Sequence, residues 1–339
     1  MNALTHFGPP IGSTWPAFAL QLFPWWFGFA AIAFFKHRGC MPEIGPRRIM
    51  VSAVLSLANL ILLCRGYGYE AQIYQEMLVP IVLLYPYLRA QVRSLPRLGL
   101  LLLPLTVFAL IEQLKCTQFD QWSYVSEGNR YLIWARQHGT VLERLLWFGG
   151  QDYPLAELEF YVLYIVGLFT WLCALTSIFR RWTAPHPGLA WFFPAAVGIP
   201  AVVLVPLIAW YVVAHRSIPM HAVSAGMSLA FMWIFQSTSP RARAFVRSPL
   251  FACVTVFSFF QTAIFETYHV ARGHWYYKPE NELASLHPWI DLNFPSIPWL
   301  GIIPRAWPLE EFCAYGFLWV FTYTMALAMD EKFKMGVFE

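Results

Sequence analysis

The stretch Trp307-Pro308-Leu309-Glu310-Glu311-Phe312 sets two adjacent carboxylates at the mouth of a long apolar segment. Ionisable groups are expensive to keep there and mark function by default. Pro308 suits the first turn of a helix, so the two glutamates should sit at the outer end of a spanning segment. Two effects compete at such a position. The helix N-terminus favours the ionised form, whereas a neighbouring like charge and an apolar surround favour the protonated one. In a site shielded from water the second pair wins for one of the two glutamates and leaves a neutral carboxylic acid. Such a group can donate a proton to something as weakly basic as a carbon–carbon double bond. The cation so formed needs stabilising without a nucleophile that quenches it, and the ring faces of Trp275, Tyr276, Tyr277, Trp307 and Phe312 can supply that. Glu266, near the end of another apolar run, can take a proton back. The alternative is that the carboxylates cap a helix and the aromatics form an interfacial belt, and the residues alone leave the two readings even.

Other chemistries lack their residues. No G-x-G-x-x-G follows a strand and no Walker loop is present, so nucleotide and flavin binding by those motifs is unsupported. The aspartates Asp120, Asp152, Asp291 and Asp330 are far apart in sequence, which removes aspartate-rich motifs that hold magnesium against a diphosphate. The nine histidines include His215 and His221 in one expected loop and His269 and His274 in another, without H-E-x-x-H or repeated histidine boxes, so no metal is assigned. No lysine falls inside an apolar run, which leaves a retinal Schiff base without a candidate. The six cysteines are scattered and several sit in apolar runs as small hydrophobes do, so neither a disulfide framework nor a zinc site is indicated.

The elements that must position these residues are membrane helices. The chain is 58% hydrophobic and 12% charged, the balance of an integral membrane protein. About nine spans are expected, near residues 14–35, 50–64, 77–88, 98–114, 155–179, 189–214, 218–235, 250–270 and 309–329. Lys36, Arg38, Arg47 and Arg48 follow span one; Arg89, Arg93 and Arg97 follow span three; Arg180 and Arg181 follow span five. Arg241, Arg243 and Arg247 follow span seven, and Lys332 and Lys334 follow span nine. Every second loop is therefore basic, which places the N-terminus outside and the C-terminus in the cytoplasm, with a bacterial inner membrane as the expected location. The small excess of Lys and Arg marks topology and is no nucleic-acid footprint.

The chain also repeats. Arg89 through Ser94 resembles Arg241 through Ser248, and each is followed by an apolar span ending in a carboxylate, Glu112 or Glu266. Trp122-Ser123-Tyr124 then answers Trp275-Tyr276-Tyr277, and Tyr153-Pro154-Leu155-Ala156-Glu157 answers Trp307-Pro308-Leu309-Glu310-Glu311, all at an offset of about 152 to 154 residues. Spans three to five and seven to nine form a tandem parallel repeat, and such duplications often place a site between or within the copies. The expected organisation is residues 1–75 with spans one and two, 76–182 as the first repeat, 183–216 as a connecting span and 217–339 as the second repeat. The fold class is all-α polytopic.

Gly273-His274-Trp275-Tyr276-Tyr277 followed by Pro308-Leu309-Glu310-Glu311-Phe312 resembles the G-x-W-x-[FY] … P-L-E-E-F pattern of the lycopene cyclase domain. This is the flavin-independent membrane family found as paired small subunits in some bacteria and as a fused tandem in archaea and fungi. The resemblance covers roughly the last three quarters of the chain and is better in the second copy. It implies a helical membrane enzyme that closes the acyclic ends of lycopene into rings with no net redox change and no cofactor. Glu310 and Glu311 match the family's carboxylate pair, and Glu157 matches its second member in the first copy. Ala156 replaces the first glutamate there, and Asp120-Gln121-Trp122 lacks the glycine before the tryptophan. The reading is thus acid-initiated cyclisation: Glu311 as acid, Glu310 as its partner, Glu266 as base and Glu157 in the weaker copy. Trp275, Tyr276, Tyr277, Trp307 and Phe312, with Trp122 and Tyr124 from the first copy, line the substrate. The partners are a hydrophobic isoprenoid such as lycopene and the lipid bilayer. Another isoprenoid substrate, or a transporter or lipid-binding scaffold, is the alternative.

Overall fold

Helices α4 (Leu158–Ile178) and α9 (Leu318–Phe333) pack against each other at the centre of the computed structural model, which describes residues 42–64, 74–118, 122–124, 158–215, 218–271, 275–277, 310, 313–314 and 316–338. Around them stand α1 (Pro46–Cys64), α2 (Val79–Gln91), α3 (Leu95–Gln118), α5 (Ile199–His215), α6 (Met220–Thr238), the short α7 (Pro240–Val246) and α8 (Pro249–Ala271). α4 packs on α2 and α3, α9 packs on α6, α7 and α8, and α3 touches both central helices. The helical class is as expected. Among the described residues there is also a pair of three-residue strands, β1 (Trp122–Tyr124) and β2 (Trp275–Tyr277).

Local chemistry sets the helix ends. α2 begins with Pro80 in its first turn, where the missing N–H costs nothing, and stops at Val92, whose extended φ of −108° breaks the run. Ser94 and Ser248 stand immediately before α3 and α8, and their hydroxyls accept from the N–H of Arg97 at 3.5 Å and of Phe251 at 3.1 Å. Ser239 caps α7 in the same way, accepting from Ala242 N at 3.0 Å. The residues 241–247, expected as a loop, therefore mostly form this capped helix. Span nine is broken as well: Gly316 and Phe317 form a turn before α9 begins at Leu318. Span one lies outside the described residues.

The centre is closely packed. Ile165 and the run Leu168 to Ala174 on α4 are buried, as is every residue from Trp319 to Ala328 on α9. Gly167 lets the π-turn Tyr74–Leu78 approach α4, since a Cβ there would lie 2.8 Å from Met77 Sδ. Gln91 joins three helices: its amide nitrogen is 2.7 Å from Cys173 O and 2.6 Å from Thr176 Oγ1, and its Oε1 accepts from the Tyr323 hydroxyl at 3.1 Å.

The tail after α9 straps the two halves together. Lys334 in the left-handed region ends the helix, and Gly336 follows at φ +62°, a conformation that a side chain would strain. Val337 O accepts from Arg93 N at 2.8 Å, Met335 O accepts from Arg97 Nη1 at 2.7 Å, and Val337 N donates to Asp330 Oδ1 at 2.7 Å. Asp330 also holds Arg241 Nη1 at 3.0 Å, and Ser239 donates to Glu331. The basic residues read from the sequence as topology signals thus also fasten the C-terminal segment.

Among the described residues, one helical stretch, Pro187–Ala214, is long and apolar enough to cross a membrane. A second, Pro240–Val246 with Pro249–Thr262, qualifies as a span bent by 64°.

Candidate active site

The two aromatic segments singled out by sequence, separated by about 150 residues, are adjacent. β1 and β2 pair antiparallel, with Trp122 opposite Tyr277, Ser123 opposite Tyr276 and Tyr124 opposite Trp275. The register is symmetric about Ser123 and Tyr276: each strand's leading tryptophan faces the other's trailing tyrosine. β1 contacts α3 and β2 contacts α8, so the ladder ties together the ends of the two helices that carry Glu112 and Glu266. Glu266 belongs to α8, with its side chain outside the description.

Glu310 is fully buried. Cys313, three residues further, is also buried. Beyond it Phe317 meets Phe259 edge-on at 4.9 Å, and Trp319 meets Phe257 edge-on at 5.6 Å. These four rings form a seam between α8 and the start of α9. Glu157, Trp307, Glu311 and Phe312 lie outside the described residues, so the geometry here concerns Glu310 alone of the carboxylate pair.

Sequence reasoning missed a group of interior polar residues. His221 belongs to the first turn of α6 and is 1% exposed, rather than lying in a loop. A helical start after Pro219 explains the difference, because the proline ends the extended segment and the histidine falls inside the turn that follows. Its Nε2 lies 4.0 Å from Glu112 Oε1 across the α3–α6 contact. Glu76, on the π-turn before α2, is fully buried too.

Helix α8 carries a different feature. Val256 and Phe260 point outward, while Ser258, Gln261 and Thr262 point inward at 2% exposure or less. Ser258 Oγ, both polar atoms of Gln261 and Thr262 Oγ1 have no hydrogen-bond partner. Each buried, unsatisfied group of this kind costs about 1–3 kcal/mol. The i, i+3, i+4 spacing of three polar residues in an apolar run was the available signal.

The described arrangement combines a buried carboxyl, a seam of aromatic rings, a buried carboxylate–imidazole pair and an inward polar face on α8. It can hold a proton donor away from water. No family model matches the chain, nor does any curated protein or solved structure.

Proposed function

We propose that the protein is an integral membrane cyclase of the lycopene type, which closes the terminal isoprene units of an acyclic carotenoid by acid catalysis. The observation that carries this reading is the complete burial of Glu310, within the P-L-E-E-F motif, in a chain whose following segment pairs Phe317 and Trp319 with Phe259 and Phe257 of α8. A soluble helix would expose a capping carboxylate. A buried one is retained for a purpose.

The chemistry balances without a redox partner. A carboxylic acid of the Glu310–Glu311 pair protonates the terminal double bond, giving a tertiary cation and a carboxylate. The neighbouring double bond attacks that cation, forming the ring bond and moving the charge into the ring, where aromatic faces stabilise it. Loss of a ring proton to a base restores a double bond, so substrate and product share one formula. Glu266 is proposed as that base, with Trp275, Tyr276, Tyr277, Trp307 and Phe312 as walls. Trp122, Tyr124 and Glu157 serve the weaker first copy.

Three observations support the architecture proposed with it, a nine-span bundle built from a tandem repeat. α3 and α8 are 24 and 23 residues long and each follows a capping serine. Both are followed by strands that pair with each other in a symmetric register. Apolar side chains face outward on α5 while polar ones are packed inside. In this arrangement the motif copies lie on the non-cytoplasmic side, following the basic loops.

Expression in cells that accumulate lycopene, with chromatography of the pigments, tests the reading. Ringed products are expected, and Glu310→Gln and Glu311→Gln should each lower their formation by about 10²-fold or more, the scale of lost general-acid catalysis. Unchanged lycopene in cells with well-expressed wild type removes the carotenoid assignment.

A further inference from the structure

Helix α8 presents hydrogen-bonding groups to an interior that offers them nothing. Ser258, Gln261 and Thr262 are 0%, 1% and 2% exposed, and their four polar side-chain atoms have no partner. Several other buried hydroxyls are satisfied by the carbonyl one turn back, although those of Ser52 and Ser224 are not. Thr255 donates to Phe251 O at 2.8 Å, Thr322 to Leu318 O at 2.7 Å and Thr324 to Val320 O at 2.6 Å. Ser258 and Thr262 do not do this, and a glutamine amide cannot be satisfied by its own helix so easily. What sets α8 apart is that three such residues, at i, i+3 and i+4, share one face of one helix.

The chemistry of the three side chains specifies what would complete them. Between them they offer donors and acceptors but no charge, which suits neither a metal ion nor a phosphate. A neutral oxygen function, hydroxyl or carbonyl, fits. A pure hydrocarbon would leave every one of these groups unpaired. The position is also informative: Phe259, between Ser258 and Gln261, touches Phe317, which follows Glu310 by seven residues. The polar face thus lies on the helix that also carries Glu266 and that meets the segment following Glu310.

We propose that the inward face of α8 binds the oxygen function of an isoprenoid substrate, with Gln261 as the main contact and Ser258 and Thr262 beside it, so that the preferred substrate is an oxygenated isoprenoid rather than a bare hydrocarbon. This rests on the cyclase reading for the identity of the ligand's apolar part. The oxygen can come from a prenylated quinone or from a hydroxylated acyclic carotenoid, and the two are tested as separate arms.

The full chain in detergent is titrated with a short prenylated benzoquinone, with a hydroxylated acyclic carotenoid and with lycopene, following tryptophan fluorescence and the thermal midpoint. One of the oxygenated probes should bind at least about tenfold more tightly than lycopene, and Gln261→Leu should abolish that preference, a tenfold change being the scale of one hydrogen bond. Ser258→Ala and Thr262→Val should weaken it less. Because Gln261 makes no hydrogen bond within the protein, Gln261→Leu and the volume-matched Gln261→Met should leave the unliganded midpoint equal or higher. A lowered midpoint in both variants would mean that the amide is held by internal water and would overturn the proposal, as would equal binding of all three probes. Undiminished ring formation from lycopene in Gln261→Leu, with no oxygenated probe preferred, sinks the proposal and leaves the cyclase reading intact. Gln261-dependent binding with no ringed product from any probe does the reverse.

Discussion

Helix α5 consists almost wholly of aliphatic and aromatic residues, yet it turns Val202, Val205 and Val213 outward at 73%, 62% and 80% exposure. Helix α9 contains two threonines, a tyrosine and an aspartate, yet it is enclosed on every side from Trp319 to Ala328. In water the assignment would be reversed, because apolar area is what folding removes from solvent. In lipid the outer surface carries no such penalty, and packing and hydrogen bonding decide which helix goes inside. The contrast fits a lipid-solvated bundle, with polar groups of α3, α6, α8 and α9 buried inside it.

The contrast can be broken or sharpened by substitution. The largest effect is expected from Trp319→Ala, which empties a fully enclosed site against Phe257 and should cost about 3–5 kcal/mol, read from the unfolding midpoint in detergent. Val202→Asp comes next: near the middle of the Pro187–Ala214 stretch a charge should cost about 2.5–3.5 kcal/mol of membrane insertion, read from a glycosylation-based insertion assay. A helix that faced water would tolerate the same change, so full tolerance would end the membrane reading. Asp330→Ala removes the acceptor of both Arg241 and Val337 N and should cost about 2 kcal/mol, Arg241 being partly exposed. The smallest effect belongs to Val202→Ala, within about 0.5 kcal/mol, since that residue is largely exposed.

Much of the helical frame was legible. Span four, expected at 98–114, is α3 at Leu95–Gln118, and span eight, expected at 250–270, is α8 at Pro249–Ala271. Apolar runs of that length carry their own signal. The break at Gly316 and Phe317 was hidden because both neighbouring segments are apolar and hydropathy cannot distinguish one helix from two. The pairing of β1 with β2 was illegible for a different reason: strands of three residues have too little periodicity to be seen. The C-terminal strap was invisible because its partners are remote, Arg97 and Met335 being 238 positions apart. At the site, the motif and spacing named Glu311 as acid with Glu310 as its partner, and of the two Glu310 alone lies among the described residues. Gln261 and its neighbours escaped because one amide and two hydroxyls barely alter the hydropathy of a helix, although they dominate what its inner face can bind.

The symmetric register of β1 and β2 has a consequence for how the gene can be cut. A polypeptide ending in the segment after α4 would carry β1 with its edge unfilled, and one beginning before α6 would carry β2 in the same condition. Each edge is a template for the other. Two half-length chains expressed from separate reading frames should therefore find each other and reconstitute the protein, whereas either half produced alone should pair with a second copy of itself through the same three residues.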